Sequence, residues 1–458
     1  MLTNRTFLTL ILIGIIISIA GSQVNDTESE EIAEKIVHKA LTEQNGYHWL
    51  KELCDLGPRL SGSLNSLKAI NWAKEKMELI GFDRVWLQPV SVPHWVRGEI
   101  EKAWISRSES FSGRSLHVAA LGGSIGTPRL AGEVVEVQSF EELKSAGDLA
   151  RGKIIFFNRS YDNSLINTFA AYGKAVNQRT QGAIEAAKAN GIAMIVRSVT
   201  SRYDNVPHVG LMRYEDNINR IPGVAIGVKD ADFLSAALKQ EPNLEISLQL
   251  SCEIRPDTIS YNVIGDVIGS IYPDEVILIG GHFDAWDKGD GAQDDGGGCI
   301  QSMEVPVLLK SLELNPKRTI RSVLFIDEEQ SQSGAREYAS YVDTCYEHHI
   351  AAIESDRGVA TPRGFSVDAD SARIENLRNW LPVLRQAQIE WIRKGGSGAD
   401  ISKLRNVPLL IGFVPDNQRY FDYHHSANDT YKSVHPREMQ LGTAAMAILT
   451  FLLSEEGT

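Results

Sequence analysis

The chain has 458 residues, 43% of them hydrophobic, and a formal net charge of −13. This length and apolar content favour two domains with a large core, and the acidic balance argues against binding to nucleic acid or anionic membranes, which requires a basic face. The four widely separated cysteines are too few for a disulfide framework, and their spacing fixes no pairing.

The amino terminus has the features of a secretory signal. Residues 1–5 form a short basic segment, residues 7–20 are predominantly apolar, and Ala20-Gly21-Ser22 offers a small-residue cleavage site. An uncleaved anchor is the less favoured alternative, because the run is shorter than the roughly 20 apolar residues of a membrane span. We therefore predict a signal peptide over residues 1–22, a secreted or possibly lysosomal protein, and no stable membrane anchor. Sequons that could carry glycans there stand at Asn25, Asn158 and, least favoured, Asn428.

Two regions with different predicted secondary structure follow the signal. Residues 23–115 are predicted to begin the first domain, with helices over 28–40 and 64–80 and strands over 85–92 and 99–105. Residues 116–235 are predicted to form a β-rich insert. Its short strands lie near 133–137, 153–157, 193–196 and 221–226, and its helix lies at 182–190.

In the last region, residues 236–458, predicted strands alternate with predicted helices. Strands are predicted near 261–269, 276, 323, 351 and 409, and helices near 298–312, 334–342, 370–391 and 437–453. Such alternation favours an α/β fold with a doubly wound, mostly parallel sheet and helices on both faces.

Histidine and carboxylate residues follow the apolar strands of this last region. His282 and Asp284 come after the run 275–279, and Asp294 stands in the glycine-loosened loop beyond them. Two more apolar runs precede the pair Glu328-Glu329 and Asp356, and a loop near the carboxyl end of the chain carries His425. Ligands bind at the carboxyl ends of strands in an open α/β sheet, so these side chains are expected to meet.

The chemistry of this set favours two metal ions. Imidazole and carboxylate suit zinc, and two histidines with three carboxylates are too many ligands for one tetrahedral ion. A carboxylate shared by two ions about 3.5 to 4 Å apart would resolve the surplus, as in two-metal aminopeptidases. Of two adjacent glutamates, one can then bind metal while the other takes a proton from water.

These motifs resemble those of the M28 family of di-zinc metallopeptidases, and within it the plasma glutamate carboxypeptidase (carboxypeptidase Q) group. The resemblance runs from the Leu56–Ser63 motif to the His425–Thr430 motif. It implies two zinc ions per chain, one held by His282 and Asp356, the other by Glu329 and His425, with Asp294 as the bridge. It also implies that Glu328 is the general base, that the Asp284 carboxylate fixes the His282 tautomer, and that the Asp294–Asp295 peptide is cis.

Further residues are candidates for contact with the substrate or for tuning the base. Asp400, at the end of the Gly395–Asp400 loop, could pair with a substrate ammonium or be an ordinary loop acid. Tyr423 or Tyr420 could donate to an oxyanion or be a packed aromatic residue. Asp327 is an additional acid that could raise the pKa of Glu328 by like-charge repulsion.

The resemblance implies an exopeptidase that acts on dipeptides and short peptides with free termini, as a homodimer in lysosomal or extracellular fluid. It also implies that the 116–235 insert is a protease-associated module bordering the cleft. Two alternatives remain open. One is a glutaminyl cyclase-like acyl transferase with a single zinc, and the other is a non-enzymatic receptor on a peptidase fold.

Overall fold

The computed structural model describes residues 26–458, so the predicted signal peptide and the sequon at Asn25 lie outside the described residues. The helices are α1 Asp26–Glu43, α2 Asn45–Asp55, α3 Leu64–Leu79, α4 Phe140–Ala146, α5 Thr168–Ala175, α6 Asn177–Thr180, α7 Gly182–Lys188, α8 Val228–Gln240, α9 Gly297–Ser311, α10 Ser333–Val342, α11 Ser371–Asn379, α12 Leu381–Leu384 and α13 Pro436–Glu456. The strands are β1 Arg84–Val96, β2 Glu101–Arg107, β3 Ser115–Leu116, β4 Val118–Ala120, β5 Thr127–Val137, β6 Ile154–Phe157, β7 Ala193–Arg197, β8 Gly223–Ile226, β9 Glu245–Leu250, β10 Glu253–Val267, β11 Tyr272–His282, β12 Arg318–Phe325, β13 His348–Glu354, β14 Pro362–Asp368, β15 Trp391–Lys394 and β16 Leu410–Pro415.

The first sheet has eight strands in the order β1-β10-β12-β11-β13-β16-β14-β15. Its four central strands, β12, β11, β13 and β16, pair in parallel, as predicted. The pairings of β10 with β1 and β12, and of β14 with β16, are antiparallel. The sheet is therefore more mixed than expected. The connection between β10 and β11, residues 268–271, is too short for the helical crossover that two strands running in the same direction need, so these two strands run in opposite directions on either side of β12.

The register of the central strands aligns their carboxyl ends. His282, the last residue of β11, lies opposite Phe325 at the end of β12, and Gly280 lies opposite Glu354 at the end of β13. The residues that follow these three strands consequently leave the sheet at one edge. Alternating side chains bury both faces, since Ile277 packs with the α9 and α13 side and Leu278 packs with the α10 side.

Helix α13 is the predicted core helix at the carboxyl end. Its residues from Met439 to Ser454 are buried against the sheet and against α1 and α9. Within residues 26–458, no helix combines the length and apolar character needed to cross a bilayer. The single helix predicted over 370–391 is instead divided into α11 and α12, with Pro382 in the first turn of α12, where proline fits best.

The second sheet also has eight strands, in the order β3-β2-β9-β5-β6-β7-β8-β4. It is built from residues between Glu101 and Leu250 and so extends beyond the predicted bounds of 116 and 235. The reason lies in how the chain enters and leaves. The chain leaves the first sheet from β1 into β2 and returns to it from β9 into β10. The pairs β1 with β10 and β2 with β9 are both antiparallel, so the outgoing and returning segments lie side by side. The residues of this sheet and its helices are called the second unit below.

The sequons within the described residues are not free for glycans. The side chain of Asn158 is only 7% exposed, and its amide donates a hydrogen bond to Glu136 at 2.6 Å. The amide of Asn428 donates to Asp204 at 3.2 Å and is half-buried. The burial of Asn158 therefore does not support a glycan at that sequon. All four cysteines are free.

Candidate metal centre

The five predicted metal ligands come from the aligned strand ends and two loops. His282 ends β11, Glu329 follows β12 and Asp356 follows β13, while Asp294 and His425 lie in the loops that close over this edge. The Asp294–Asp295 peptide is cis, as the resemblance implied. The structure brings all five side chains together.

The first half of the centre is formed by His282, Asp294 and Asp356. The Nε2 atom of His282 lies 3.0 Å from Asp294 Oδ1 and 3.4 Å from Asp356 Oδ1. The other ring nitrogen, Nδ1, lies 2.9 Å from the main-chain carbonyl oxygen of Asp284. A carbonyl can only accept, so Nδ1 carries the proton and Nε2 presents its lone pair toward two carboxylates. That is the arrangement of a metal ligand.

The second half is formed by His425, Glu329 and the other oxygen of Asp294. The Nε2 atom of His425 lies 2.9 Å from Glu329 Oε2 and 3.4 Å from Asp294 Oδ2. The indole N–H of Trp286 donates to Glu329 Oε2 at 2.6 Å and so orients that carboxylate. Asp294 therefore directs one carboxylate oxygen toward each histidine.

Two neighbours are less suited to be ligands. His424 stacks on His425 with ring centroids 3.5 Å apart, but its Nε2 atom is 3.8 Å from Asp294, farther than that of His425. The carboxylate of Asp295 accepts hydrogen bonds from the main-chain N–H groups of His282 and Gly298 at 3.1 and 3.2 Å. Each of its two carboxylate oxygens thus helps to shape the loop.

The chemistry of the donor set fits metal cations. Asp294 Oδ2 and Glu329 Oε1 are buried and have no hydrogen-bond partner. Burial and the negative charge of Asp294 raise the pKa of Glu329 well above its usual range. Buried carboxylates crowded in this way are costly unless cations compensate them. Three clusters of histidine and acidic side chains here have ligand atoms within 4.8 Å of one another.

Glu328 lies beside the ligands without joining them. It lines the cavity that opens onto the centre, and its Oε1 atom accepts a hydrogen bond from Gln332 at 3.0 Å. Burial raises the pKa of Glu328, and the carboxylates of Asp356 and Asp294 add to the rise. Asp327 was expected to raise the pKa of Glu328 by like-charge repulsion, but its position does not support this role. Its carboxylate is turned toward Ser331 and Ser333, and it accepts from the Ser333 N–H at 3.4 Å, away from the cavity.

Asp284 acts on the site differently from the prediction. Its carboxylate is 4.0 Å from the His282 ring, and the main-chain carbonyl of the same residue holds the tautomer instead. The carboxylate accepts hydrogen bonds from the main-chain N–H groups of Glu328 and Glu329 at 3.0 and 3.4 Å. Asp284 thus positions the two glutamates. Burial raises its pKa to about 6.

Two residues that sequence reasoning did not identify hold the loop of Asp294. The buried guanidinium of Arg59 donates to the carbonyl oxygens of Phe283 and Gly291, both at 2.9 Å, and to that of Asp290. Asp429 accepts from the N–H groups at the start of the bridging turn, those of Ala292, Gln293 and Asp294, at 3.0, 2.7 and 3.1 Å. Asp429 follows His425 by four residues, so it ties the two ligand loops together.

We expect Asp429→Asn to lower metal affinity roughly tenfold to a hundredfold, the usual range for groups that orient ligands. The amide would turn an N–H donor toward the N–H of Asp294 or its neighbours and leave a buried donor unpaired. Competition with a chelator measures the affinity. Asp422→Asn is the matched control, because Asp422 lies in the same segment and accepts from Ser201 rather than from the metal loop. Equal affinity in both variants would contradict this role for Asp429.

A cavity of about 360 Å³ opens onto the centre. It is bordered on one side by the ligands and Glu328, and on the other by the second unit through Phe169, Tyr172 and Thr180. Tyr420 lines this cavity, whereas Tyr423 lines a neighbouring one. Tyr420 is therefore the better placed of the two predicted tyrosines.

Asp400 does not line the cavity. Its side chain is 1% exposed, and its main-chain N–H donates to the buried carboxylate of Glu354 at 3.1 Å. Burial and the charge of Glu354 raise the pKa of Asp400 well above its usual range. A direct pairing of Asp400 with a substrate ammonium is not supported by this position.

Comparison with known proteins agrees with this geometry. The model of peptidase family M28 matches residues 262–450. Human carboxypeptidase Q is 35% identical over 432 residues, which span 93% of this chain and 89% of the human protein. The crystal structure of an M28 peptidase precursor from Shewanella amazonensis SB2B superimposes with a TM-score of 0.88 at 34% identity, over 94% of this chain and 97% of that one. The fold is also shared with an aminopeptidase from Aneurinibacillus sp. strain AM-1, with a TM-score of 0.63 at 19% identity, over 92% of this chain and 96% of that one.

Proposed function

Because the chain belongs to peptidase family M28, we propose that it uses two zinc ions to release terminal residues from dipeptides and short peptides with free termini. It is a metallo-exopeptidase and a relative of carboxypeptidase Q.

The observation that carries the proposal is the placement of Asp294. Its two carboxylate oxygens lie 3.0 and 3.4 Å from the Nε2 atoms of His282 and His425. Asp356 completes the side of His282 and Glu329 completes the side of His425. Each side then offers three ligands to a zinc ion, which leaves a position open for chemistry, as in catalytic zinc sites.

The mechanism follows from what surrounds this set. When bound, two zinc ions lower the pKa of a water molecule and polarise the scissile carbonyl. Glu328 accepts the proton of that water and later gives it to the leaving amine. Asp284 holds the main chain of Glu328, so the base is fixed relative to the ligands. Tyr420, which lines the same cavity, is the candidate donor to the oxyanion.

Three further points belong to the proposal. The amino-terminal segment supports a secreted or lysosomal protein. The second unit is a protease-associated-like module, which is supported by its entry and exit through one ladder and by its position along the cavity. The family resemblance supports a homodimer.

Neither alternative function gains support. A glutaminyl cyclase-like acyl transferase would use a single zinc, whereas two sets of ligands share Asp294 here. A non-enzymatic receptor would be expected to lose ligands or the base. Glu328 and all five predicted ligands are present and brought together, and Glu328 lines the cavity with them.

A panel of peptides tests the class of substrate. We expect the secreted protein to hydrolyse unblocked dipeptides and tripeptides from one end, and to leave the internal bonds of a longer peptide blocked at both ends intact. The products are identified by mass spectrometry over time. Cleavage of internal bonds in the doubly blocked peptide at a comparable rate would contradict an exopeptidase.

A further inference from the structure

The segment that carries the ligand His425 lies against the second unit. His425 stands between β16 and α13, and hydrogen bonds join this part of the chain to the loop between β7 and β8 of the second unit. The joined pairs are Thr200 with Phe421 at 2.6 Å, Ser201 with Asp422 at 2.8 Å and Asp204 with Asn428 at 3.2 Å. The place of one metal ligand therefore depends on a contact between the two sheets' units.

The main chain of His425 has a conformation that side chains rarely adopt. Its φ angle is +60°, in the left-handed region. A residue other than glycine keeps this conformation only where its surroundings hold it there, and such residues cluster at functional sites. The groups that hold the peptides on either side of His425 are therefore of interest.

Two consecutive residues of the second unit hold these peptides. The Nδ1 atom of His208 lies 2.7 Å from the carbonyl oxygen of His424, and the main-chain N–H of Val209 donates to the carbonyl oxygen of His425 at 2.8 Å. A carbonyl can only accept, so Nδ1 of His208 carries the proton. His208 is buried, and its Nε2 atom has no hydrogen-bond partner in the described part of the chain. The bond to His424 is thus the only hydrogen bond that this ring makes there.

The same segment orients the ring of His425. Its Nδ1 atom lies 3.3 Å from the carbonyl oxygen of Val209, and its Nε2 atom faces Glu329 at 2.9 Å. Gly210 allows this close approach. Its φ angle is +127°, and a Cβ atom there would lie 2.4 Å from the guanidinium carbon of Arg179 and 2.6 Å from Nδ1 of His425.

We propose that His208 is a positioning residue of the metal centre, which holds the His424 carbonyl so that His425 presents Nε2 to the ion on its side. The second unit is then part of one half of the centre. The inference rests on the proposed two-zinc function. The other half needs no such support, because the carbonyl that orients the His282 ring belongs to Asp284, two residues further along the same chain segment. Loss of the His208 hydrogen bond is therefore expected to weaken one ion and spare the other.

The test measures the affinity of the full chain for each of the two ions. His208→Leu fills the space of the ring but leaves the His424 carbonyl without its donor. We expect the affinity for one zinc ion to fall about tenfold to a hundredfold, the usual range for groups that orient ligands, while the other changes by less than about threefold. Competition with a chelator measures both affinities. The kcat on an unblocked dipeptide is expected to recover at saturating zinc.

Two further variants separate the hydrogen bond from the bulk of the ring. In His208→Asn the side-chain amide N–H can take the place of the Nδ1 donor, and no bond of Nε2 is lost. We expect this variant to hold both ions with nearly wild-type affinity. Gly210→Ala leaves His208 in place but brings a methyl group against the His425 ring, so it is expected to weaken the same ion as His208→Leu.

Thr200→Val is the matched control. It removes a buried hydrogen bond between the same loop and the same segment, at Phe421, without touching the peptides of His425. We expect it to keep both ions, and thermal unfolding is measured on every variant. The positioning role is overturned if His208→Leu keeps both ions or weakens both alike, or if His208→Asn or Thr200→Val weakens one ion as strongly. In each of these cases the two-zinc function stands. A wild type that holds fewer than two zinc ions would overturn that function and the inference together.

Discussion

Replacing Glu328 by glutamine is expected to lower kcat on an unblocked dipeptide by about 100-fold to 10,000-fold, the usual contribution of a general base. Glutamine has the shape of glutamate but cannot accept the proton of the attacking water. The metal ligands are untouched by this change, so the zinc content is expected to stay at the wild-type value. Steady-state kinetics and metal analysis on the same sample measure both quantities.

Asp327→Asn is the matched control for this variant. Asp327 adjoins Glu328 in the sequence, but its carboxylate is turned to Ser331 and Ser333 rather than to the cavity. Its φ angle is +70°, a conformation that asparagine also tolerates. We expect this control to keep most of the activity. If Glu328→Gln retained more than about a tenth of wild-type kcat with full zinc, Glu328 would not be the base.

Asp294→Ala is expected to have an even larger effect, because it removes a ligand from both halves of the centre. Each remaining half would offer two protein ligands, His282 with Asp356 and His425 with Glu329, fewer than the three or four of stable zinc sites. We expect the zinc content to fall below one ion per chain and kcat/KM to fall by about a thousandfold or more, since the two-metal chemistry is lost. Metal analysis after dialysis and kinetics at fixed free zinc measure the two effects.

Asp290→Asn is the control within the same loop. The main-chain carbonyl of Asp290 is held by Arg59, and its side chain accepts from the Tyr431 N–H at 3.4 Å rather than facing the ligands. This variant is expected to keep its zinc. Retention of two ions by Asp294→Ala would contradict the assignment of a bridging carboxylate.

Much of the first sheet could be predicted because its strands are strongly patterned. The run from Glu275 to Ile279 is apolar and β-branched, and strand β11 contains all of it. Strand β14 and helix α8 were not predicted. Helix α8 does carry an amphipathic pattern, with Ala231, Leu234 and Leu238 on its buried side. The bounds of the second sheet were placed too narrowly, because Glu101 and Leu250 pair across a separation in sequence that no local pattern reveals.

The side chains that meet at the candidate site could be predicted because each follows a strand end or stands in a recognisable motif. The groups that orient those ligands could not. Arg59 and Asp429 stand within the motifs that carry the resemblance, but they act through main-chain atoms of distant residues, so their roles could not be inferred from the sequence. The same is true of His282, whose proton is held by a main-chain carbonyl where a carboxylate was expected.

The most direct test is the zinc content of the purified full chain, titrated against its hydrolysis of an unblocked dipeptide. We expect full activity to require two zinc ions per chain, a chelator to remove activity together with zinc, and added zinc to restore both. Full activity with one ion per chain, or with none, would contradict a centre in which Asp294 joins two metals.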